Sequence, residues 1–399
     1  MSAHIKIITF LILTSLIKIE TLCASSSIPS QSERAVTEIL AMADVQVNGN
    51  RSWDITVQNK AFYIRVLKDQ SLGLGETYMQ GWWDSEALDE CIFHILRADL
   101  EKNLTPTWAM RWAVVKAKLF NLQSKSNSMH VIDQHYQLGN DLFEGMLDEL
   151  MTYSCGYWNS ANTLGEAQQA KYDLIARKLD FKKGMRVLDI GCGWGGFAKY
   201  VSENYGVEVV AITLSENQAA YAKELCRGLP VEVRVQDYRD VEEVFDRIVE
   251  IGMFEHVGPK NYRTFMEITH RCLTNDGMLM LHTIGRNTSS STCDPWINTY
   301  IFPEGNLPSI AQIGASIEGL FVMEDWHNFS VDYDKTLMAW FQNFHKNWDK
   351  IKEHYSPTFY RMWKYYLLSC AGAFRARQIQ LWQVVLSKEG VLGGYKTVR

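Results

Sequence analysis

The sequence predicts an α/β protein: a doubly wound sheet of buried strands, preceded by a small, mainly helical N-terminal domain. Three observations lead there. From about Lys171 onward, short apolar segments rich in β-branched residues alternate with stretches of helical length, the pattern of a parallel sheet covered on both faces. One of these segments runs straight into a glycine turn and a helix, as nucleotide-binding folds do. Upstream the character changes, and helical periodicity prevails with little strand signal. The chain has 399 residues, room for two domains at roughly 150 residues each. We divide it into an apolar extension and linker (1–33), a small module (34–122) and the large α/β domain (123–399).

Taken in order, Ile7 to Ile17 (IITFLILTSLI) is apolar and follows Lys6. It is too short to span a bilayer, which needs about 20 residues. Either it is the hydrophobic part of a secretory signal, with a poor cleavage site at Leu22-Cys23-Ala24, or it is an extension that touches a membrane or lacks order. SSSIPSQS (25–32) reads as a linker. The small module offers a helix (AVTEILAMA), a strand-like DITVQ, a glycine-rich turn in SLGLGETYMQGWW, and helices in CIFHILRADLE and TWAMRWAVVKAKLF. In the last, Trp108, Trp112, Val115 and Leu119 recur at helical spacing, with Arg111 and Lys118 on another face. The plain reading is a packed helix with a solvated basic edge; the sharper one is a helix resting on phospholipid. The strands of the large domain are RVLDIGCG, VEVVAITL, VEVRVQD, FDRIVEIGM and GMLMLHTIG, separated by helices in GFAKYVSENY, SENQAAYAKELCRG and KNYRTFMEITHRCL.

Composition narrows the function. Hydrophobic residues at 47% and charged residues at 22% exclude wholesale disorder and fibrous architectures. Acidic side chains outnumber basic ones, 46 to 40, which argues against nucleic acid as the main partner. The eight cysteines include no CxxC pair, so neither a zinc site nor a thioredoxin-like motif is indicated; they read as reduced thiols of an intracellular protein.

The glycine turn is Leu188-Asp189-Ile190-Gly191-Cys192-Gly193-Trp194-Gly195-Gly196. Dinucleotide enzymes write GxGxxG with an acid about 20 residues later. Here the acid, Asp189, comes first, the habit of S-adenosylmethionine enzymes. At the end of the next strand, where an acid usually holds the ribose, stands Thr213-Leu214-Ser215-Glu216-Asn217-Gln218, in which Thr213 and Gln218 offer uncharged hydrogen bonds instead. Asp237 and Tyr238 follow the third strand; Asp237 either accepts the adenine amino group or caps the following helix. Glu255 and His282 stand at adjacent strand ends, facing the crevice in which such sheets bind ligands.

Tyr153-Ser154-Cys155-Gly156-Tyr157, VLDIGCGWGG, TLSENQ, IGMFEHVG, MLHTIG and CAGAFR (370–375) together resemble the bacterial cyclopropane-fatty-acyl-phospholipid synthases, within the S-adenosylmethionine-dependent mycolic acid cyclopropane synthase superfamily. The resemblance runs from about residue 34 to the end and includes SLGLGETYMQGWW and DPWINTYIFPEGNLPS. It implies a Rossmann-like class I methyltransferase fold. It also implies methylation of a cis double bond in an unsaturated phospholipid acyl chain, then proton loss and ring closure, with bicarbonate bound in the site. By motif position the bicarbonate ligands are Cys155, Glu255, His282, Tyr333 and the backbone of Ile284. The cosubstrate lies against Tyr153 and Ser154, the loop Leu188 to Gly196 (Asp189, Gly191, Gly193, Trp194 and Gly195 included), Thr213, Leu214 and Gln218, and Asp237 with Tyr238. Cys370 matches a cysteine proposed as nucleophile, although ring closure needs a base rather than a thioether. The resemblance further implies a homodimer, and a cytoplasmic enzyme peripherally bound at the inner membrane, where its cosubstrate is found.

Chemistry supports this. An alkene is a weak nucleophile, so it must be held in line with the sulfonium methyl away from water. The carbocation left behind suits aromatic faces such as Phe254, Tyr333 and the tryptophans. A carboxylate acting as the base risks alkylation, whereas a small oxyanion cradled by Glu255 and His282 removes the proton and leaves intact. Cys155 as a plain buried thiol and Tyr333 as a mere pocket cover are the bland alternatives. His256, next to Glu255, reads as structural. Gln137 stands where the family usually has Asp.

Overall fold

The computed structural model describes residues 29–100 and 139–399. The apolar run at 7–17, the helix read in TWAMRWAVVKAKLF and Gln137 therefore lie outside the described residues.

The N-terminal module begins with α1 (Gln31–Met42), closed by a capping box in which Ser30 accepts from the Glu33 N–H. Strand β1 (Thr56–Val57) pairs antiparallel with β2 (Trp83–Asp84). Between them runs α2 (Ala61–Met79), kinked at Gln70 (φ 49°). This corrects the expected glycine-rich turn: Gly73 and Gly75 lie inside a helix. Their role is close approach. A Cβ on Gly75 would fall 2.3 Å from the indole of Trp296, which is fully buried. Helix α3 (Leu88–Arg97) follows.

In the large domain α4 (Asn140–Met146) and α5 (Leu164–Lys178) precede the sheet. The strands and helices then alternate as the sequence pattern requires: β3 (Arg186–Ile190), α6 (Gly196–Tyr205), β4 (Glu208–Thr213), α7 (Glu216–Leu225), β5 (Val231–Val235), β6 (Phe245–Ile251), α8 (Tyr262–Arg271) and β7 (Leu273–Arg286). After these come α9 (Pro295–Tyr300), α10 (Ile310–Ile317), β8 (Val322–Asn328), α11 (Val331–Ile351), α12 (Pro357–Arg375) and β9 (Ile379–Ser387). The sheet order is β5-β4-β3-β6-β7-β9-β8. Strands β5 to β7 are parallel neighbours, and β9 lies antiparallel between β7 and β8. The order reverses between β3 and β6, which opens a crevice at their carboxyl ends.

The sequence reading missed β8, β9, α11 and α12. Helices α11 and α12 matter for the site because they share one apolar cluster with the N-terminal module: Leu337, Trp340, Trp363, Leu367 and Phe374 pack with Val36, Phe62, Trp83 and Cys91. Arg375, at the end of α12, clasps Asp334 of α11 (2.8 Å) and Asp89 of α3 (2.8 Å). No described helix is long and apolar enough to cross a membrane.

Candidate active site

The crevice is built on the β3 turn. Gly191, Gly193 and Gly195 all take positive φ, a region open to glycine at no steric cost, so the chain turns tightly and α6 starts at Gly196 with its N–H groups facing the crevice. Leu188 is buried in the core, leaving only its backbone for a ligand. Asp189 is buried, with Oδ2 lacking a partner among the described residues; burial pushes its carboxyl up to about 7 against the pull of Lys171. Trp194 is buried against Phe143 (4.8 Å) and donates Nε1–H to Asn140 Oδ1 (3.1 Å).

The other proposed cosubstrate residues line the ends of β4 and β5. Thr213 Oγ1 donates to Gln218 Oε1 (3.0 Å) and accepts the Ser215 N–H (3.2 Å), which pre-arranges this turn, while Leu214 is exposed. Of the two roles open to Asp237, the structure displays the cap: it accepts the Arg239 N–H (2.9 Å) and holds the Arg239 guanidinium (2.6 Å). Tyr238 packs edge-on to Phe265. On the opposite wall Tyr153 meets the Tyr366 hydroxyl (2.9 Å), and Ser154 Oγ accepts from the buried Lys171 ammonium (2.5 Å).

The acid–base residues meet where β6 and β7 end. Glu255 sits on a short turn, Phe254–His256, and its Oε1 accepts the Ile284 N–H at 2.7 Å. Glu250, fully buried at the end of β6, anchors that turn by accepting the N–H groups of Met253 and Phe254. His282 lies in register with Gln383 of β9, whose Nε2 is 3.3 Å from His282 Nδ1. Tyr333, in the first turn of α11, stacks on Phe374 at 4.5 Å and stands edge-on to Trp340. The Cys155 thiol donates to the Gly156 carbonyl (3.1 Å).

These groups converge. Burial raises the Tyr333 hydroxyl far above its ordinary range, and the neighbouring Cys155, Glu255, Tyr153 and Cys370 add to the effect by their charge. Burial likewise pushes Glu255 up to about 7, holds the Cys155 thiol well above its usual value, and keeps the His282 imidazole neutral, helped by Lys171 and Lys178. Among the described residues Glu255 Oε2 and His282 Nε2 are buried without any partner. Such orphaned groups cost free energy unless a ligand meets them. Neutral hydrogen-bonding groups around two orphaned positions fit a small oxyanion such as bicarbonate.

One sequence reading changes on inspection. Phe254 stacks on Tyr262 (4.3 Å) in a core cluster separate from the one that holds Tyr333, so it is not placed to face a carbocation beside Tyr333. Tyr366, Trp340 and Phe374 pack around Tyr153 and Tyr333 instead. The sequence reading counted Trp340 among the available tryptophans and Phe374 within CAGAFR, but passed over Tyr366, which lies on a helix it did not assign. His256, as expected, stays outside the cluster, with its ring against Phe302. Burial pushes the Cys370 thiol up to about 12, which leaves almost no thiolate at neutral pH. Cys370→Ala therefore keeps kcat within about threefold of the parent, a steady-state assay being the check; a loss of several orders of magnitude would restore the nucleophile.

The strand order, the glycine turn and the acid within β3 define a class I S-adenosylmethionine-dependent methyltransferase. The family model for mycolic acid cyclopropane synthetase matches residues 123–384, and the chain belongs to that family. It is 53% identical over 366 residues to the cyclopropane-fatty-acyl-phospholipid synthase of Escherichia coli (strain K12), covering 92% of this chain and 96% of that one. The cyclopropane synthase MmaA2 from Mycobacterium tuberculosis matches with a TM-score of 0.60 at 33% identity, covering 67% of this chain and 100% of its own. The mycolic acid cyclopropane synthase CmaA1, complexed with SAH and CTAB, matches with a TM-score of 0.59 at 34% identity, over 67% and 99%.

Proposed function

We propose that the chain transfers a methylene group from S-adenosyl-L-methionine to the cis double bond of an unsaturated acyl chain in membrane phospholipid, forming a cyclopropane ring, with bicarbonate as proton acceptor. The observation that carries this reading is a pair of orphaned buried atoms at the paired strands β6 and β7: Glu255 Oε2, near Tyr333, and His282 Nε2. The family supports the reaction class. A double bond, a methyl donor and a site that binds a small oxyanion complete the chemistry.

In this reading the α6 N-terminus, Thr213 and Gln218 hold the cosubstrate, and Tyr153 and Ser154 close over it. The wall of Tyr333, Trp340, Phe374 and Tyr366 excludes water and faces the electron-poor carbon formed when the alkene takes the methyl group. Bicarbonate, when bound, supplies the acceptor for the proton that the new methyl group gives up. Glu255, His282, Tyr333, the Cys155 segment and the Ile284 backbone hold that acceptor in place. They are spared alkylation because none is an exposed anion. The N-terminal module docks the lipid surface or pairs two subunits at the inner face of the membrane.

Proton NMR of acyl chains recovered from cis-unsaturated phospholipid vesicles tests the proposal. Upfield ring signals that depend on cosubstrate and rise with added bicarbonate are expected; a methyl branch without ring signals would replace it with simple C-methylation. The Glu255 proton gives a second check. Below about 7 the carboxyl is protonated and donates to an oxyanion; above that value it is anionic and repels one. The KM for bicarbonate, expressed as the ion, therefore rises roughly tenfold from about pH 7 to about pH 8.5, following a single titration. Glu255→Gln, which cannot titrate, flattens that profile.

A further inference from the structure

We propose that Gln383 is a positioning residue whose amide fixes the tautomer of His282, so that Nε2 carries the proton and presents it to the bound oxyanion. The identity of the oxyanion rests on the function proposed above; the tautomer does not.

His282 of β7 and Gln383 of β9 are direct partners across an antiparallel pair, so both side chains emerge on one face of the sheet. Both are essentially inaccessible, at 1% and 0%. The contact joins Gln383 Nε2 to His282 Nδ1 at 3.3 Å. An amide nitrogen only donates, so Nδ1 must accept, and a neutral imidazole whose Nδ1 accepts carries its proton on Nε2. That nitrogen finds no partner among the described residues.

The reverse amide orientation is disfavoured. Gln383 Oε1 now lies where it has no partner, and turning the amide would put two N–H donors there. Orphaned N–H groups are rarer in protein interiors than under-satisfied carbonyls. His327, the neighbour of Gln383 on β8, does not compete for the amide, because its Nδ1 is met by the Lys178 ammonium at 3.1 Å.

The chemical consequence is a division of labour. With Nδ1 accepting from the amide and Nε2 protonated, His282 has no free lone pair in the site. It cannot take the proton from the new methyl group; it can only donate. A second-layer amide of this kind does for an oxyanion site what carboxylates do for metal-bound histidines.

The test uses the full chain labelled with ¹⁵N-histidine, with the His282 signals identified by their loss in His282→Gln. A pyrrole-like Nε2 and a pyridine-like Nδ1 are expected; the opposite pattern, or protonation of both nitrogens, would overturn the proposal. In Gln383→Met, close in length but without a donor, the KM for bicarbonate should rise roughly tenfold while that for S-adenosylmethionine stays within about twofold. Calorimetric binding of S-adenosylmethionine checks that the variant is folded. An unchanged bicarbonate KM, or an equal rise in both constants, would also overturn it. Turnover indifferent to bicarbonate, with the stated tautomer present, would remove the oxyanion from the proposed function and leave the Gln383–His282 assignment standing.

Discussion

Glu255→Ala loses roughly three orders of magnitude or more in kcat, the range reached when a transition-state-stabilising group is removed, while the affinity for S-adenosylmethionine changes by no more than about twofold. The split follows from position. Glu255 lies on the turn after β6, where its carboxylate is bonded to the Ile284 N–H of β7 rather than to the β3 glycine turn or the Thr213–Gln218 pair. Alanine leaves that N–H without its acceptor and removes the group argued to hold the proton acceptor. Single-turnover kinetics beside calorimetric titration separates the two effects. Full activity in the variant would remove the cradle from the mechanism, and a proportional loss of cosubstrate affinity would recast Glu255 as a binding residue.

Gly372→Ala is the second large effect, and it acts on the fold. Helix α12 crosses α3 so closely at Gly372 that an added Cβ would lie 2.6 Å from the Asp89 carbonyl oxygen and 2.9 Å from the Phe93 nitrogen. Both are backbone atoms, so no rotamer change relieves the clash and the helices must part. Overpacking of this kind costs about 1–3 kcal/mol, expected as a thermal midpoint several degrees lower. Because α12 carries Phe374, against which Tyr333 stacks, activity should fall before unfolding begins. Gly314→Ala is the matched control. It sits inside α10, where an added methyl group would meet nothing within 4 Å, so the same substitution should stabilise by about 0.5–1 kcal/mol. Equal midpoints for the two variants would mean that α12 and α3 are not held as closely as described.

What the sequence disclosed, and what it hid, follows from how each residue is held. Strands β3, β4, β6 and β7 were legible because burial on both faces demands nearly continuous apolar segments, β5 through the alternation of VEVRV at the sheet edge, and the β3 turn because its glycines follow such a strand directly. Glu255 and His282 were legible through their place at strand ends. Strand β8 was hidden because its segment VMEDWHN is half polar at the sheet edge. Strand β9 was readable in principle: IQLWQVVLS is as apolar as β7, but it lies beyond the alternating pattern that drew attention. Without β9, Gln383 had no reason to be placed beside His282. The glycines of α2 misled because a glycine pair usually marks a turn; the buried Trp296 indole explains Gly75, and the Arg65 carbonyl across the kink explains Gly73. The aromatic wall escaped for a similar reason. Tyr366 and Trp340 carry no motif and gain meaning only when α11 and α12 fold across the crevice.

The placement of β9 bears on how the chain matures as it is synthesised. β8 leaves the ribosome before β9 but pairs only with it, and the free edge of β7 waits for the same strand. While residues 379–387 are still in the exit tunnel, the edge of β7 and both edges of β8 are unpaired, a state in which nascent chains invite aggregation or chaperone capture. The last strand to arrive thus closes the sheet and brings the amide to His282 in one step. Chains that lack β9 therefore carry the glycine turn of β3 but not the amide that meets His282.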